Sequence, residues 1–180
     1  LFMGRLSSEK GMDLLLEALA GLELPFQLTV LGLDGPLKQQ VAAAANKDTR
    51  IRLRPPVPHD EVPAILQQHD VVCCPSLWND PLPGSVIEAR LHGRSIVATN
   101  LGGIPEILRQ YRKATLVDAH SRTHAQLVEA LQHGVAKAID LIDVSPDPAE
   151  EEAFRRRFSP EHFTDQFEAL YATGAIPLRA

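Results

Sequence analysis

Six short apolar runs recur along the chain, at residues 1–3, 27–31, 51–54, 71–74, 95–99 and 115–117. Between them lie stretches with helical spacing, at 11–22, 36–46, 60–68, 84–92, 104–110 and 123–140. Runs this short and this rich in Val, Ile and Leu suit strands covered on both faces, as parallel strands are. In the first helical stretch, Leu15, Leu16, Leu19 and Leu22 make one apolar stripe. Strand and helix in alternation predict an α/β fold: a Rossmann-like, doubly wound, mostly parallel six-stranded sheet with right-handed crossovers. Residues 1–140 are expected to form this domain. Residues 141–180 are read as a linker and extra C-terminal helices, packing on it or on a domain outside this chain. Asp143-Val144-Ser145-Pro146-Asp147-Pro148 reads as a loop, followed by an acidic block at 150–152 and a basic block at 155–157. Ser159 and Pro160 open a last helix, with Phe163, Phe167, Leu170 and Tyr171 on its apolar face. The chain starts inside its first apolar run, so it is expected to be a piece of a longer polypeptide.

Bulk properties exclude several classes of function. Net charge is −5 over 180 residues and no long Lys/Arg cluster occurs, so nucleic acid is not an expected partner. Cys73 and Cys74 are adjacent within an apolar run, a poor arrangement for a disulfide or a metal. They read as small buried hydrophobes in a reducing compartment. No apolar run reaches the ~20 residues of a transmembrane helix, and no signal peptide is visible. A cytoplasmic setting is expected, with the inner membrane face as an alternative. The dinucleotide-binding GxGxxG spacing is missing, as are DxD, HExxH and paired CxxC, so no cofactor and no metal site are expected. The histidines are scattered; His59 and His92 fall near loops or helix ends and neither is expected to be catalytic.

In a doubly wound sheet, ligands bind beyond the carboxyl ends of the strands at the topological switch point. For the strand order 3-2-1-4-5-6, that point lies between the first and fourth strands. The loops there, 4–10 and 75–84, have the most unusual composition in the chain. The first offers Arg5, Lys10 and a helix start near Gly11, all favourable to an anion, although the same residues would suit an ordinary solvated loop. The second contains Asn79-Asp80-Pro81-Leu82-Pro83-Gly84-Ser85-Val86-Ile87-Glu88-Ala89. Gly84, Ser85 and Val86 begin a helix and direct N–H groups at the crevice. Glu88, one turn further, suits a vicinal diol such as a ribose, or is simply an acid favoured by the helix dipole. Asp80 taken alone reads as a turn residue before Pro81. Two more glycine turns, Gly32-Leu33-Asp34-Gly35-Pro36 and Leu101-Gly102-Gly103-Ile104-Pro105-Glu106, allow close backbone near the crevice.

In this order these residues resemble the C-terminal nucleotide-sugar-binding domain of GT-B glycosyltransferases of family 4, or group 1. The resemblance runs over most of the chain. It is carried by Gly4-Arg5-Leu6 with Lys10-Gly11, the two glycine turns, Pro56-Val57-Pro58-His59-Asp60-Glu61, Pro75-Ser76-Leu77-Trp78, the Asp80…Glu88-Ala89 segment, and a closing Phe158-Ser159 helix. The resemblance implies that Arg5 and Lys10, with Gly4 nearby, hold the diphosphate of a sugar donor. Val57 and Pro58 would touch the nucleobase through the backbone. Glu88 matches the second glutamate of the family's E-x7-E motif, the ribose ligand, and Asp80 falls at the first, beside the donor sugar. An Asp there sets the carboxylate roughly 1.5 Å back from a Glu, and Pro83 removes an N–H the family usually has. The resemblance further implies a retaining, metal-independent hexosyltransferase with a nucleotide sugar as donor. Its acceptor, a saccharide, lipid or small molecule, would lie on an N-terminal domain outside this chain, which could also touch a membrane peripherally. A sugar-nucleotide epimerase of the same architecture, or a non-catalytic nucleotide-sugar-binding module, are the alternatives.

Overall fold

The computed structural model describes residues 1–120 and 122–173. Among these residues it contains six parallel strands: β1 Phe2–Arg5, β2 Leu28–Leu33, β3 Ile51–Arg54, β4 Val71–Cys74, β5 Ser95–Thr99 and β6 Ala114–Val117. They form two three-stranded ladders, β1-β2-β3 and β4-β5-β6. The ladders meet at Leu1, whose main-chain nitrogen donates to Val71 O at 2.8 Å and whose carbonyl accepts from Cys73 N–H at 2.8 Å. The strand order is therefore the expected 3-2-1-4-5-6, but the central junction is held by two bonds instead of a full ladder. Beyond Cys73 no main-chain bond joins β1 to β4 among the described residues. This leaves their carboxyl ends apart at the switch point.

The crossovers contain α1 Met12–Ala20, α2 Lys38–Lys47, α3 Val62–Gln67, α4 Gly84–Leu91 and α5 Ile104–Ile107, and α6 His124–Asp140 follows β6. Strand side chains alternate between the two faces of the sheet. Cys73, Val97 and Val117 join the core that α1 and α6 complete, with Met12, Leu15, Leu131 and Val135. Val72 and Ile96, one position off, are fully buried outside that cluster, and α4 packs on β4 and β5. The buried face of α1 is Met12, Leu14, Leu15, Ala18 and Leu19, which leaves Leu16 at its margin. α6 comes down close to the sheet because Gly134 has no side chain. A Cβ there would lie 2.8 Å from Val117 Cγ2 and 3.0 Å from Val97 Cγ2. A capping box between Thr123 and Gln126 starts this helix. α5 is shorter than its sequence pattern predicts; it ends at Ile107, and Gln110 beyond it is left-handed at φ 62°.

Of the expected C-terminal helices, one had no position assigned from the sequence. α7, Pro148–Arg157, runs through the acidic and basic blocks. Asp147 Oδ1 accepts from Ala149 N–H at 2.9 Å and Glu150 N–H at 3.3 Å. Proline stands in the first turn, acids follow it and three arginines close the helix, so every end signal agrees with the macrodipole. The chain divides into a first compact unit, Leu1–Ser145, and a second that begins at Pro146. Within the second, Phe154 and Phe158 pack ring to ring at 4.7 Å. α8, Pro160–Thr173, has the expected cap, with His162 N–H donating to Ser159 Oγ at 3.1 Å. On its apolar face Phe163, Phe167 and Tyr171 are exposed, and the Leu170 side chain lies outside the described residues.

Under the crevice, the side chain of Arg90 in α4 is buried, 4% exposed. Its Nη1 donates to Ile107 O at 2.5 Å and Arg109 O at 3.1 Å, and its guanidinium lies 5.0 Å from the Tyr111 ring centroid. It thus satisfies carbonyls that the short α5 leaves open. Arg90→Met should cost about 2–4 kcal/mol of stability, because carbonyls lose charged donors in a buried place. Urea denaturation of the two proteins measures this; a difference within error would mean that water replaces the guanidinium.

Candidate active site

The loop after β1 folds on itself before it reaches α1. Ser7 O accepts from both Lys10 N–H (3.1 Å) and Met12 N–H (3.3 Å), and Gly11 N–H donates to Ser8 O at 2.9 Å. A 3₁₀ turn at Ser8–Lys10 results, closed by Gly11 at φ 69°. A Cβ on Gly11 would lie 1.9 Å from the Pro75 carbonyl oxygen, so the loop rests directly on the start of the loop after β4. Glu9 O then accepts from Leu77 N–H at 2.8 Å and Ser76 Oγ at 3.3 Å. The two loops at the switch point are therefore bonded into one body. Both glycine turns reinforce it. Gly35 abuts Leu6 O, where a Cβ would stand at 2.4 Å, and Gly103 abuts Pro81 O at 2.0 Å. Gly103 N–H also donates to Asp80 O at 2.9 Å. These glycines bring loop against loop, which is the close backbone approach expected of them.

This body places the side chains. Lys10 Nζ lies 3.4 Å from Asp80 Oδ2, each side chain about one-third exposed at 32% and 29%. Asp80 Oδ1 accepts from Leu82 N–H at 3.1 Å, so Asp80 is a turn residue and the partner of Lys10 at once. Arg5 ends β1 exposed, and its side chain has no hydrogen bond or ion pair among the described residues. Gly4, beside it, is held in register with Gly32 of β2.

α4 begins without a side-chain cap. Pro83 O accepts from Val86 N–H (3.1 Å) and Ile87 N–H (3.3 Å), so the Gly84 and Ser85 N–H groups are left for a ligand and that of Val86 is not. The Val86 side chain is fully buried. Ser85 Oγ sits 3.7 Å from Cys74 Sγ, and burial pushes that thiol up to about 12. Both cysteines are free and buried, as expected of small core residues.

Glu88 is half-buried in α4. Burial pushes its carboxyl above the usual range, and the His59 imidazole, with Nδ1 3.4 Å from Oε1, opposes that push. His59 follows Val57 and Pro58 directly, so the loop after β3 is brought to Glu88. Val57 is half-buried, and its main chain has no hydrogen bond among the described residues. The structure thus joins Lys10 to Asp80 and Glu88 to the Val57–Pro58 loop. Sequence reading missed His59 and the carbonyl of Glu9. No spacing links a residue in the loop after β3 to one in α4, and a carbonyl has no signature. A cavity of about 600 Å³ lies toward the amino ends of the strands, around Leu1, Phe26, His69 and Ile139, and contains none of these residues. No group of three metal-binding side chains occurs among the described residues.

Residues 1–137 match the family model described as Glycosyl transferases group 1. The chain belongs to the group 1 glycosyltransferases. It is 31% identical over 179 residues to the 2-deoxystreptamine glucosyltransferase of Streptomyces kanamyceticus, covering 96% of this chain and 42% of that one. It is 31% identical over 133 residues to the D-inositol 3-phosphate glycosyltransferase of Salinispora tropica, covering 66% and 27%. The chain spans between about a quarter and a half of the curated relatives it matches, 27% and 46% in two of them. Among solved structures it resembles Anabaena Alr3699/HepE in complex with UDP, with a TM-score of 0.75 at 20% identity over 96% of this chain and 48% of that one. Sucrose-phosphate synthase from Thermosynechococcus elongatus gives 0.73 at 20% identity over 95% and 44%. The Rossmann-like α/β fold with six parallel strands, implied by the resemblance as the C-terminal half of a GT-B fold, is therefore the fold of this chain.

The raised carboxyl of Glu88 has a consequence for stability. The folded state binds its proton more tightly than the unfolded chain does, so this group favours folding below its ordinary value of 4.5 and loses that contribution as pH rises through the raised folded value. Glu88→Gln removes that loss. Its melting temperature relative to wild type should climb as pH goes from 4 toward neutrality and then level off. A difference that stays flat across that range, followed by differential scanning fluorimetry, would show that Glu88 is no more burdened folded than unfolded.

Proposed function

We propose that this chain is the nucleotide-diphospho-sugar-binding half of a retaining, metal-independent glycosyltransferase of hexosyltransferase type. The observation that carries the reading is the Lys10–Asp80 pair, 3.4 Å across two loops that are bonded into one body at the switch point. Arg5 and Lys10 would take the donor diphosphate, with the Gly84 and Ser85 N–H groups at the start of α4 adding to the positive field. Glu88 would accept the ribose hydroxyls, and Val57 and Pro58 would meet the base. Negative charge grows on the leaving diphosphate as the glycosidic bond breaks, and two fixed cations suit that charge with no metal ion. Asp80 would face the donor sugar. In the free protein its carboxylate neutralises Lys10, so an arriving diphosphate competes with Asp80 for the ammonium and releases the acid toward the sugar.

The acceptor would be a glycan, lipid or small molecule held chiefly by an N-terminal domain. Relatives named for D-inositol 3-phosphate and 2-deoxystreptamine favour the small-molecule end of that range. The chain alone would bind nucleotide weakly and transfer nothing. A cytoplasmic site of action, at the inner membrane face if the acceptor is a lipid, agrees with a chain in which no described helix is long and apolar enough to cross a membrane.

Calorimetric titration with a panel of nucleotide sugars, nucleoside diphosphates and free sugars tests the reading. The nucleotide-containing ligands should bind and free sugars should not. Arg5→Ala and Lys10→Ala should each weaken nucleoside diphosphate binding by about a hundredfold or more, as expected for charged hydrogen bonds lost from a phosphate site. Unchanged affinity in both would sink the proposal. Asp80→Glu, assayed for transfer in the full-length protein, separates two designs. Retained turnover would mean that the shorter acid is a tolerated stand-in. A loss of turnover with nucleotide affinity intact would mean that the site is built around the Asp80–Lys10 spacing.

A further inference from the structure

Among the described residues, one polar side chain stands against the carboxylate of Glu88, and it comes from a different crossover. His59 Nδ1 lies 3.4 Å from Glu88 Oε1, with the imidazole 86% exposed and the glutamate side chain only 28% exposed. The imidazole is therefore the solvent-facing member of the pair and Glu88 the inner one. Its backbone is set firmly. Pro58 precedes it at φ −52°, and Pro58 O accepts from Glu61 N–H at 3.0 Å, which opens a 3₁₀ turn at His59–Glu61. The other charged side chain nearby in α4, Arg90, is directed away to Ile107 O and Arg109 O.

We propose that His59 is a positioning residue for nucleotide binding, aligning the Glu88 carboxylate for the vicinal hydroxyls of a ribose. The inference rests on the reading of Glu88 as the ribose ligand. An ionised carboxylate offers about four lone-pair directions on its two oxygens. The imidazole nitrogen faces Oε1 at 3.4 Å, which leaves Oε2 and the outer side of Oε1 for two hydroxyls. A glutamate end without such a partner rotates freely about its last torsion, and that freedom must be given up when a diol binds. His59 removes it beforehand. Because His59 follows Val57 and Pro58 directly, the same contact holds the base-facing loop at a set distance from the ribose ligand. Base and ribose are then recognised by one rigid unit made from the β3 loop and α4.

The test is a set of calorimetric titrations with the nucleoside diphosphate that binds in the panel above and with its 2′-deoxy counterpart. His59→Ala should weaken the ribonucleotide roughly tenfold, the scale of one side chain's lost pre-organisation, and leave the 2′-deoxy ligand within twofold. His59→Gln, whose amide N–H can still donate to the carboxylate, should recover most of the loss. In a Glu88→Gln background, removing His59 should cost nothing more. An equal loss for both nucleotides, or a full loss that persists without Glu88, would overturn the inference, since either means that His59 acts on the base or on folding. Unchanged affinity in His59→Ala would overturn it too. If the wild type binds no nucleotide, the reading beneath it falls as well, an outcome distinct from binding that ignores His59.

Discussion

The site depends on the seating of the first loop on the second. Gly11, left-handed and without a side chain, allows the backbone after β1 to lie against the carbonyl of Pro75, and Leu77 N–H closes the contact on Glu9 O. Among the described residues, main-chain hydrogen bonds join the two ladders only at Leu1, just before β1, so the sheet alone would leave the carboxyl ends of β1 and β4 unconstrained. The loop-to-loop contact restores the constraint where chemistry needs it. It fixes the separation of Lys10 from Asp80, and through Gly103 and Pro81 it ties both to the turn after β5. The candidate site is then a property of three crossovers locked together.

Within that frame the two acids behave differently. Asp80 sits in a turn with the Lys10 ammonium and the Leu82 N–H against its two oxygens. Glu88 is set into a helix, half-buried, with burial opposing its ionisation and a single imidazole favouring it. A carboxylate in that state has unmet demand for hydrogen bonds, and a diol meets it. The structure thus holds one acid in reserve behind a lysine and leaves the other in need of donors. Each condition suits the part of a nucleotide sugar that the acid would face.

Much of this was legible in the chain itself. The strands 71–74 and 95–99 lie where their apolar runs begin and end, because a strand buried on both faces must be largely apolar. Strand 51–54 instead alternates Ile51 and Leu53 with exposed Arg52 and Arg54, as an edge strand does. The α8 cap at Ser159 was equally plain, a local interaction between neighbours. α7 was not placed although Asp147, Pro148 and its charge gradient were all visible, since without an apolar stripe the segment shows no helical period. The Val86 N–H was expected in the crevice, but the first turn of α4 uses it.

The sequence by itself pointed to the strand order and the two loops of the switch point through local composition and spacing, and to the family, with Arg5, Lys10, Asp80 and Glu88 as candidate site residues, through its resemblance to known sequences. Only the tertiary structure decided that Lys10 takes Asp80 as its partner and that Glu88 takes His59. Those contacts join residues 70 and 29 positions apart in the chain. Their distances are set by how loops dock on one another, and docking is governed by the absence of a Cβ at Gly11, Gly35 and Gly103 against backbone that only the fold brings near.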